Sequence, residues 1–307
     1  MIVVFGSINV DLTFRVDHQP APGETILCSG YLASAGGKGA NQAVAAARAG
    51  AEIAMIGCVG SDSFAELAVD TMQTSGVDTS TILTVEAPTA CATICVDISG
   101  ENSIVVASGA NLLTRADQVT GDLFGPDTLL LMQMEVILEE NWTLLERAHK
   151  QGARTALNVA PAAPVPIEAL GLLDFLFVNE IESTAIAAAT DIDPHPLEEL
   201  PRHLSERYGL TCILTLGEAG AVLHGPSGGY TIPALTVATT DTTGAGDTFV
   251  GYMAAEIDAG FDAVEAARRA SAAAALSCTK EGAQIGIPFA SEVDEVMNSL
   301  PPAEKRP

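Results

Sequence analysis

Six short runs rich in apolar and β-branched residues limit the fold most strongly: Ile2–Gly6, Ile53–Val59, Thr128–Met134, Arg154–Asn158, Phe175–Asn179 and Thr211–Leu216. Several are apolar without alternation, the pattern of strands covered on both faces. Between them lie Ala- and Leu-rich stretches with helical spacing, at 39–49, 64–75, 139–151, 195–208, 245–259 and 262–279. Strands alternating with helices predict an α/β fold, with a mostly parallel central sheet flanked by helices. Segments 12–34 and 88–108 break the rhythm and read as extended β ribbons, the second turning at Ser99-Gly100-Glu101-Asn102. They are too short for a core of their own. Together they are expected to form a small β-sheet lid on a single domain spanning 1–307. The tail from Pro301 to Pro307 is expected to fray.

Charge removes whole classes of function. Lys and Arg number 14 against 39 Asp and Glu, a net charge of −25. Such a surface repels nucleic-acid backbones and anionic membranes alike. Its simplest meaning is solubility, or life in a salty cytoplasm. No apolar run approaches the roughly 20 residues of a membrane span. The start, MIVVFGSINVD, has no basic flank and no cleavage site, so it reads as a first buried strand and a cytoplasmic location is expected. The cysteines (28, 58, 91, 95, 212, 278) form no CxxC pair and are expected to be reduced core residues. His18, His149, His195, His203 and His224 have no ligand spacing, which leaves a His-based triad or metal centre without support.

Two glycine-rich turns stand directly before helices: Ala35-Gly36-Gly37-Lys38-Gly39-Ala40-Asn41 and Asp241-Thr242-Thr243-Gly244-Ala245-Gly246-Asp247-Thr248. A helix N-terminus offers unpaired N–H groups and a partial positive charge, and glycine lets an anion approach closely. An acidic protein can therefore still hold a phosphate. Neither turn fits a P-loop, because Gly37-Lys38 is followed by Gly39 and position 32 is Leu. Neither fits the dinucleotide fingerprint, because Gly244-x-Gly246 leads to Phe249. Any one such turn can be a helix entry and nothing more. In the second, Asp247 follows the amides of Gly244, Ala245 and Gly246. A carboxylate there either complements the helix dipole or takes a proton from a substrate hydroxyl while the amides steady a transferred phosphoryl group.

The pair GGKGAN (Gly36–Asn41) and DTTGAGD (Asp241–Asp247) resembles the two signatures of the ribokinase-like (PfkB) carbohydrate kinases. GSINVD (Gly6–Asp11), PGET (Pro22–Thr25), MQME (Met132–Glu135), N-x-x-E (Asn179–Glu182), TLG (Thr215–Gly217) and EGAQ (Glu281–Gln284) match in the same order. The resemblance spans nearly the whole chain. It implies an ATP- and Mg²⁺-dependent transfer of the γ-phosphate to a primary hydroxyl of a neutral sugar, foremost the 5-hydroxyl of D-ribose. Asn9, Asp11, Gly37, Lys38, Asn41 and Glu135 would bind sugar hydroxyls. Their chemistry suits it, with carboxylate and amide oxygens accepting and Lys and Asn donating. Asp247 would be the general base, and the Gly244, Ala245 and Gly246 amides the anion hole. Asn179 and Glu182 would organise Mg²⁺ and phosphate through water, or else only cap a helix. Thr215 and Gly217 would lie along the nucleotide, with Gly246 beside its phosphates. Some family members are activated by a monovalent cation, and the matching positions for K⁺ are Asp241, Thr243, Ser277, Lys280, Gly282 and Gly286. Here Ile285-Gly286 follow GAQ where the family often has Pro-Ser, so a serine side chain is missing from that site. In such kinases the lid often builds a homodimer.

Substrate charge follows from the residues themselves. Segments 12–34 and 88–108 hold a single Lys or Arg, Arg15, beside Asp17, Glu24, Asp97 and Glu101. A sugar phosphate or sugar acid would need cationic partners, so a neutral polyol is expected. Phe14 and Tyr31 leave a nucleoside such as adenosine open. A sugar- or nucleotide-binding regulator without catalysis is the reading of another class. Asp247 with both glycines counts against it.

Overall fold

The computed structural model describes residues 1–193 and 195–306. The chain begins with β1 (Ile2–Phe5), β2 (Asn9–Arg15), β3 (Tyr31–Gly36), α1 (Lys38–Arg48), β4 (Ile53–Ile56), β5 (Cys58–Gly60), α2 (Ser63–Thr74), β6 (Leu83–Val85), β7 (Ala90–Val96) and β8 (Asn102–Ala107). It continues through β9 (Leu129–Met132), α3 (Leu138–Lys150), β10 (Arg154–Asn158), α4 (Ile167–Leu170), β11 (Phe175–Asn179), α5 (Glu180–Thr190), α6 (Leu200–Tyr208) and β12 (Thr211–Thr215). It ends with β13 (Ala221–Gly225), β14 (Gly228–Ile232), α7 (Ala245–Asp258), α8 (Ala263–Ser277), α9 (Ala283–Gly286), α10 (Ala290–Val296) and β15 (Glu304–Lys305).

The main sheet runs β15-β14-β13-β12-β11-β10-β9-β1-β4. From β12 to β4 all neighbours are parallel; β13, β14 and β15 close the other edge antiparallel. The parallel strands are buried along their length because helices cover both faces. Ile2 and Val4 join a cluster under α1, α2, α7 and α8, whereas Val3 and Phe5 join one under α3 to α6. Successive side chains point to opposite faces, so a strand covered twice must be apolar throughout. β1 sits between β4 and β9, strands reached at different stages of the chain. Open α/β sheets leave a crevice at the carboxyl ends of strands at such a switch point.

A second sheet, β3-β2-β7-β8, stands beyond the end of β1. β2 pairs antiparallel with β3 and parallel with β7, so segments 12–34 and 88–108 share one sheet as the lid reading requires. Its far hairpin turns over Asp97–Glu101, where the Asp97 carboxylate accepts from the Ser99 and Glu101 amides and Gly100 takes φ 85.

Several expectations need correction. The run Ile53–Val59 is two strands: β4 stays in the main sheet, and after Gly57 the chain bends so that β5 pairs with β6. The β13–β14 hairpin, rich in glycine and weak in alternation, was not expected. The tail does not fray throughout: Glu304 and Lys305 pair with Thr231 and Tyr230 as an edge strand, and Pro307 lies outside the described residues. Nor are the cysteines all in the core. Cys58 and Cys212 are buried, Cys91, Cys95 and Cys278 half-buried, and Cys28 is exposed on the lid's long connection.

Candidate active site

Three helices start on side-chain caps. Asp62 caps α2, Asp262 caps α8, and Asn179 with Glu182 forms a capping box on α5. Three others, α1, α7 and the short α9, start on glycines of positive φ with no side-chain cap: Gly37 at 91°, Gly244 at 77° and Gly282 at 83°. All three carry residues singled out in the sequence.

At α1 the backbone is packed against β1's end. A Cβ on Gly37 would stand 2.8 Å from the Asn9 nitrogen, and one on Gly39 2.7 Å from the Ser7 nitrogen. Glu135, three residues past β9, accepts from the Ser7 hydroxyl at 2.6 Å and from the Lys38 amide at 3.1 Å. Asn9 is buried and its side-chain oxygen accepts from Asn111 at 2.7 Å. Asp11 lies over Gly36, where a Cβ would overlap its carboxylate. Burial, then the charges of Glu135 and Asp247, push the Asp11 carboxyl up to about 6, against the pull of Lys38. The Lys38 ammonium is held above the usual lysine range, first by Asp247 against burial, then by Glu135, Glu182 and Asp11. One cation thus faces four carboxylates, and six sequence-selected residues (Asn9, Asp11, Gly37, Lys38, Asn41, Glu135) meet where β1, the lid and α1 converge.

Asp247, in the first turn of α7, is only 7 % exposed. Its Oδ2 accepts from Asn41 Nδ2 and its Oδ1 from Gln42 Nε2, each at 2.9 Å. It lines a cavity of about 120 Å³ with Lys38, Glu182, Thr215, Gly244 and Gly246. Glu182, buried behind it, has its carboxyl pushed up by that burial and pulled back by the Asn179 amide and Lys38. Thr215 and Gly246 also border a larger cleft of about 860 Å³, walled by Leu235, Val237, Phe249, Ala274 and Ala275 and bordered by Gly217. Such an apolar slot beside a cluster of backbone donors suits a flat base with a phosphate tail. Among the three expected anion-hole amides, that of Ala245 bonds the Thr242 carbonyl at 3.2 Å. Asn179 borders neither cavity; its oxygen accepts from the Ile181 and Glu182 amides.

The six cation candidates come to one loop cluster beside α7. Asp241 accepts from the Thr243 amide at 2.9 Å, its hydroxyl at 2.7 Å and the Gly282 amide at 2.9 Å. Burial would raise this carboxyl, but the bonds from Thr243 and Gly282 outweigh it and hold it low. The Ser277 and Lys280 carbonyls turn toward Gly286, where a Cβ would stand 2.9 and 3.7 Å from them. Lys280 can offer only its carbonyl, since its ammonium binds Glu292 at 2.9 Å.

Sequence reasoning missed Ser7, Asn111, Gln42 and Gln133. Gln42 carried a signal: an amide in the Ala-rich face of a helix buried on that side. Asn111, in a 3₁₀ turn after the lid, carried none.

The pfkB family carbohydrate kinases match this chain over residues 1–290. Ribokinase of Haemophilus influenzae is 37% identical over 304 residues, covering 96% of this chain and 98% of that one. The crystal structure of ribokinase from Thermotoga maritima superimposes with a TM-score of 0.90 at 31% identity, covering 97% of this chain and 99% of that one. Ribokinase of Arabidopsis thaliana, complexed with ribose and ATP, gives 0.85 at 27% identity, over 96% and 98% of the two chains.

Proposed function

The chain belongs to the pfkB family of carbohydrate kinases, and from that premise we propose that it transfers the γ-phosphoryl group of ATP to the 5-hydroxyl of D-ribose. One observation carries the reading. The Asp247 carboxylate stands between the polar cluster around Asn41 and Lys38 and the glycine turn that opens on the apolar cleft. Sugar hydroxyls meet Asn9, Asp11, Lys38, Asn41 and Glu135, with Gly37 letting the backbone come close. ATP lies along Thr215 and Gly217 with its phosphates at Gly246. Asp247 takes the proton as the sugar oxygen attacks the γ-phosphorus and ADP leaves. Gly244, Ala245 and Gly246 line the turn whose amides steady the charge that develops.

Glu182, buried and short of a counter-charge, presents oxygen donors of the kind a hard divalent ion takes. Mg²⁺ held there through water, with Asn179 orienting Glu182, would neutralise phosphate charge. Asp241, Thr243, Gly282 and the carbonyls around Gly286 form an oxygen-lined cradle that suits K⁺.

Support for a neutral substrate comes from the lid. Its one cation, Arg15, is engaged by Glu281 at 3.1 Å on the surface. A nucleoside is the second reading, because the Phe14 and Tyr31 rings face each other 5.6 Å apart on the lid. A panel of ribose, deoxyribose, fructose and adenosine, scored by ATP consumption, separates them. Asp247→Asn tests the mechanism itself: turnover falls by about four orders of magnitude while ATP binding by calorimetry persists. A variant that keeps most of its turnover removes Asp247 from its role.

The whole chain works as one unit with the lid closing over the sugar. Exposed Tyr31, Leu32, Ile104, Val105 and Val106 give that lid an apolar surface, and a second copy covering it makes a homodimer. A monomer by light scattering at micromolar concentration counts against it. An exposed thiol at Cys28 suits a reducing compartment, which supports the cytoplasm. Among the described residues no helix is long and apolar enough to cross a membrane.

A further inference from the structure

Behind Asp247 lies a chain of buried amides that direct sugar or nucleotide contact leaves unexplained. Gln42 and Gln133 are both fully buried. Burying an amide costs about 1–3 kcal/mol when its bonds are lost, and Leu or Met would fill the same space without that risk. Gln133 donates from Nε2 to Gln42 Oε1 at 2.7 Å. That bond takes the oxygen end of the Gln42 amide, so its nitrogen end faces Asp247 and donates to Oδ1 at 2.9 Å. A flipped amide would set a carbonyl against a carboxylate. Asn141 donates to the backbone carbonyl of Gln133 at 2.7 Å, which anchors its main chain, while its side-chain Oε1 is buried without a hydrogen-bond partner among the described residues. A Cβ on Gly6 would overlap the Gln133 amide, so the glycine after β1 makes the room it occupies. The order of donors runs one way, from β9 through α1 to α7.

We propose that Gln42 and Gln133 are positioning residues of the phosphoryl transfer. Gln133 fixes which end of the Gln42 amide faces α7, and Gln42 holds the Asp247 carboxylate by Oδ1 in the orientation that meets the sugar hydroxyl. Asn41 holds the other oxygen from the sugar side, so the two anchors divide between substrate contact and interior. The inference rests on Asp247 being the base. Its charged surroundings are Lys38 from α1, Glu182 from α5 and Asp11 from the lid, with Glu135 acting on Lys38 and Asp11. Each of these stays in place when either glutamine is replaced. A donor to a carboxylate favours its ionised form. Loss of the Gln42 bond therefore moves the acid limb of kcat, read at saturating ribose so that Asp11-dependent binding drops out of the profile, to higher pH.

The test uses Gln42→Met and Gln133→Met, which keep volume and remove the donors, with ATP binding by calorimetry counting folded sites. Each variant lowers kcat by about tenfold or more, since small misplacements of a reacting group are costly. KM for ribose and for ATP stays within about threefold, and the acid limb shifts upward. Parental kcat with an unmoved limb in Gln133→Met overturns the proposal and leaves the base intact; the base itself fails only if Asp247→Asn stays active. Should the Met variants fail to fold, Gln42→Glu keeps the shape and sets a carboxylate against Asp247. It must then move the acid limb up, and an unmoved limb overturns the proposal equally.

Discussion

The glycine turns before α1 and α7 have the same local grammar and opposite uses. Each begins its helix on a glycine of positive φ without a side-chain cap. At α1 the amides are already taken. Lys38 N donates to Glu135, Gly39 N to the Ser7 hydroxyl at 3.2 Å, and Ala40 N to the Ser7 carbonyl at 2.9 Å. The protein's own carboxylate neutralises that helix end. Among the first three residues of α7 only Ala245 bonds backward, to Thr242. Among the described residues the Gly244, Gly246 and Asp247 amides have no partner, and Gly246 borders both cavities. A helix N-terminus binds an outside anion only where the surrounding fold leaves it open.

Adding one methyl group to each turn should break them differently. A Cβ on Gly39 would stand 2.7 to 2.8 Å from the backbone of Gly6 and Ser7. Gly39→Ala therefore costs about 3 kcal/mol of stability, as overpacking does. At Gly246 a Cβ meets nothing within 4 Å. Gly246→Ala leaves stability unchanged or raises it by about 0.5 kcal/mol through helix propensity. The new methyl would project where the phosphates approach, and kcat/KM for ATP falls by about a hundredfold, the scale of losing one anion-hole donor. Chemical denaturation with steady-state kinetics reads both. Equal losses of stability in the two variants would mean that the second turn is as closed as the first.

The same contrast marks how far the sequence could be read. Six parallel strands were visible because burial on both faces makes them apolar throughout, and three of the candidate sugar-site residues, Gly37, Lys38 and Asn41, lay in one continuous motif. What the two turns are filled with was not visible. The Glu135 carboxylate reaches α1 across 97 positions of chain and Gln133 reaches Gln42 across 91. Such partners depend on how β9 and α1 are laid side by side, which local patterning does not encode. The β13–β14 hairpin escaped for a simpler reason: glycines at 225, 228 and 229 dilute its alternation. The tail strand escaped because Glu304 and Lys305 have no apolar signature and pair through backbone alone.

Asp11 sharpens the comparison at the closed turn. Its carboxyl, normally near 3.8, is pushed up to about 6 by burial and by Glu135 and Asp247. Between those values the folded protein holds a proton that the unfolded chain releases. The stabilisation from this proton is present below pH 4 and is lost as pH rises through 6. Against Asp11→Asn, the parent therefore loses on the order of 2 kcal/mol of relative stability between pH 4 and 7. Ribose binding runs the other way if the ionised carboxylate accepts its hydroxyls. Affinity then rises about tenfold from pH 5 to 7.5 in the parent and stays flat in Asp11→Asn. Titration calorimetry at the two pH values decides it, and a flat parent profile would remove Asp11 from the sugar site.

The smallest effect concerns the third glycine-started helix, α9. Gly286 leaves open the space toward which the Ser277 and Lys280 carbonyls turn, and Asp241 is held ionised beside it. An ion there would brace the loop that meets α7 at Gly244, where a Cβ would stand 3.0 Å from Ala283. Replacing K⁺ with Na⁺ at fixed ionic strength should slow turnover severalfold, because the smaller ion draws carbonyls of a K⁺-sized cradle inward. Gly286→Ala fills that cradle, so its rate in K⁺ should drop to the parental Na⁺ rate and no longer respond to the exchange. A variant that still distinguishes the two ions would place the monovalent cation elsewhere, and leave α9 as a purely structural brace for the open turn.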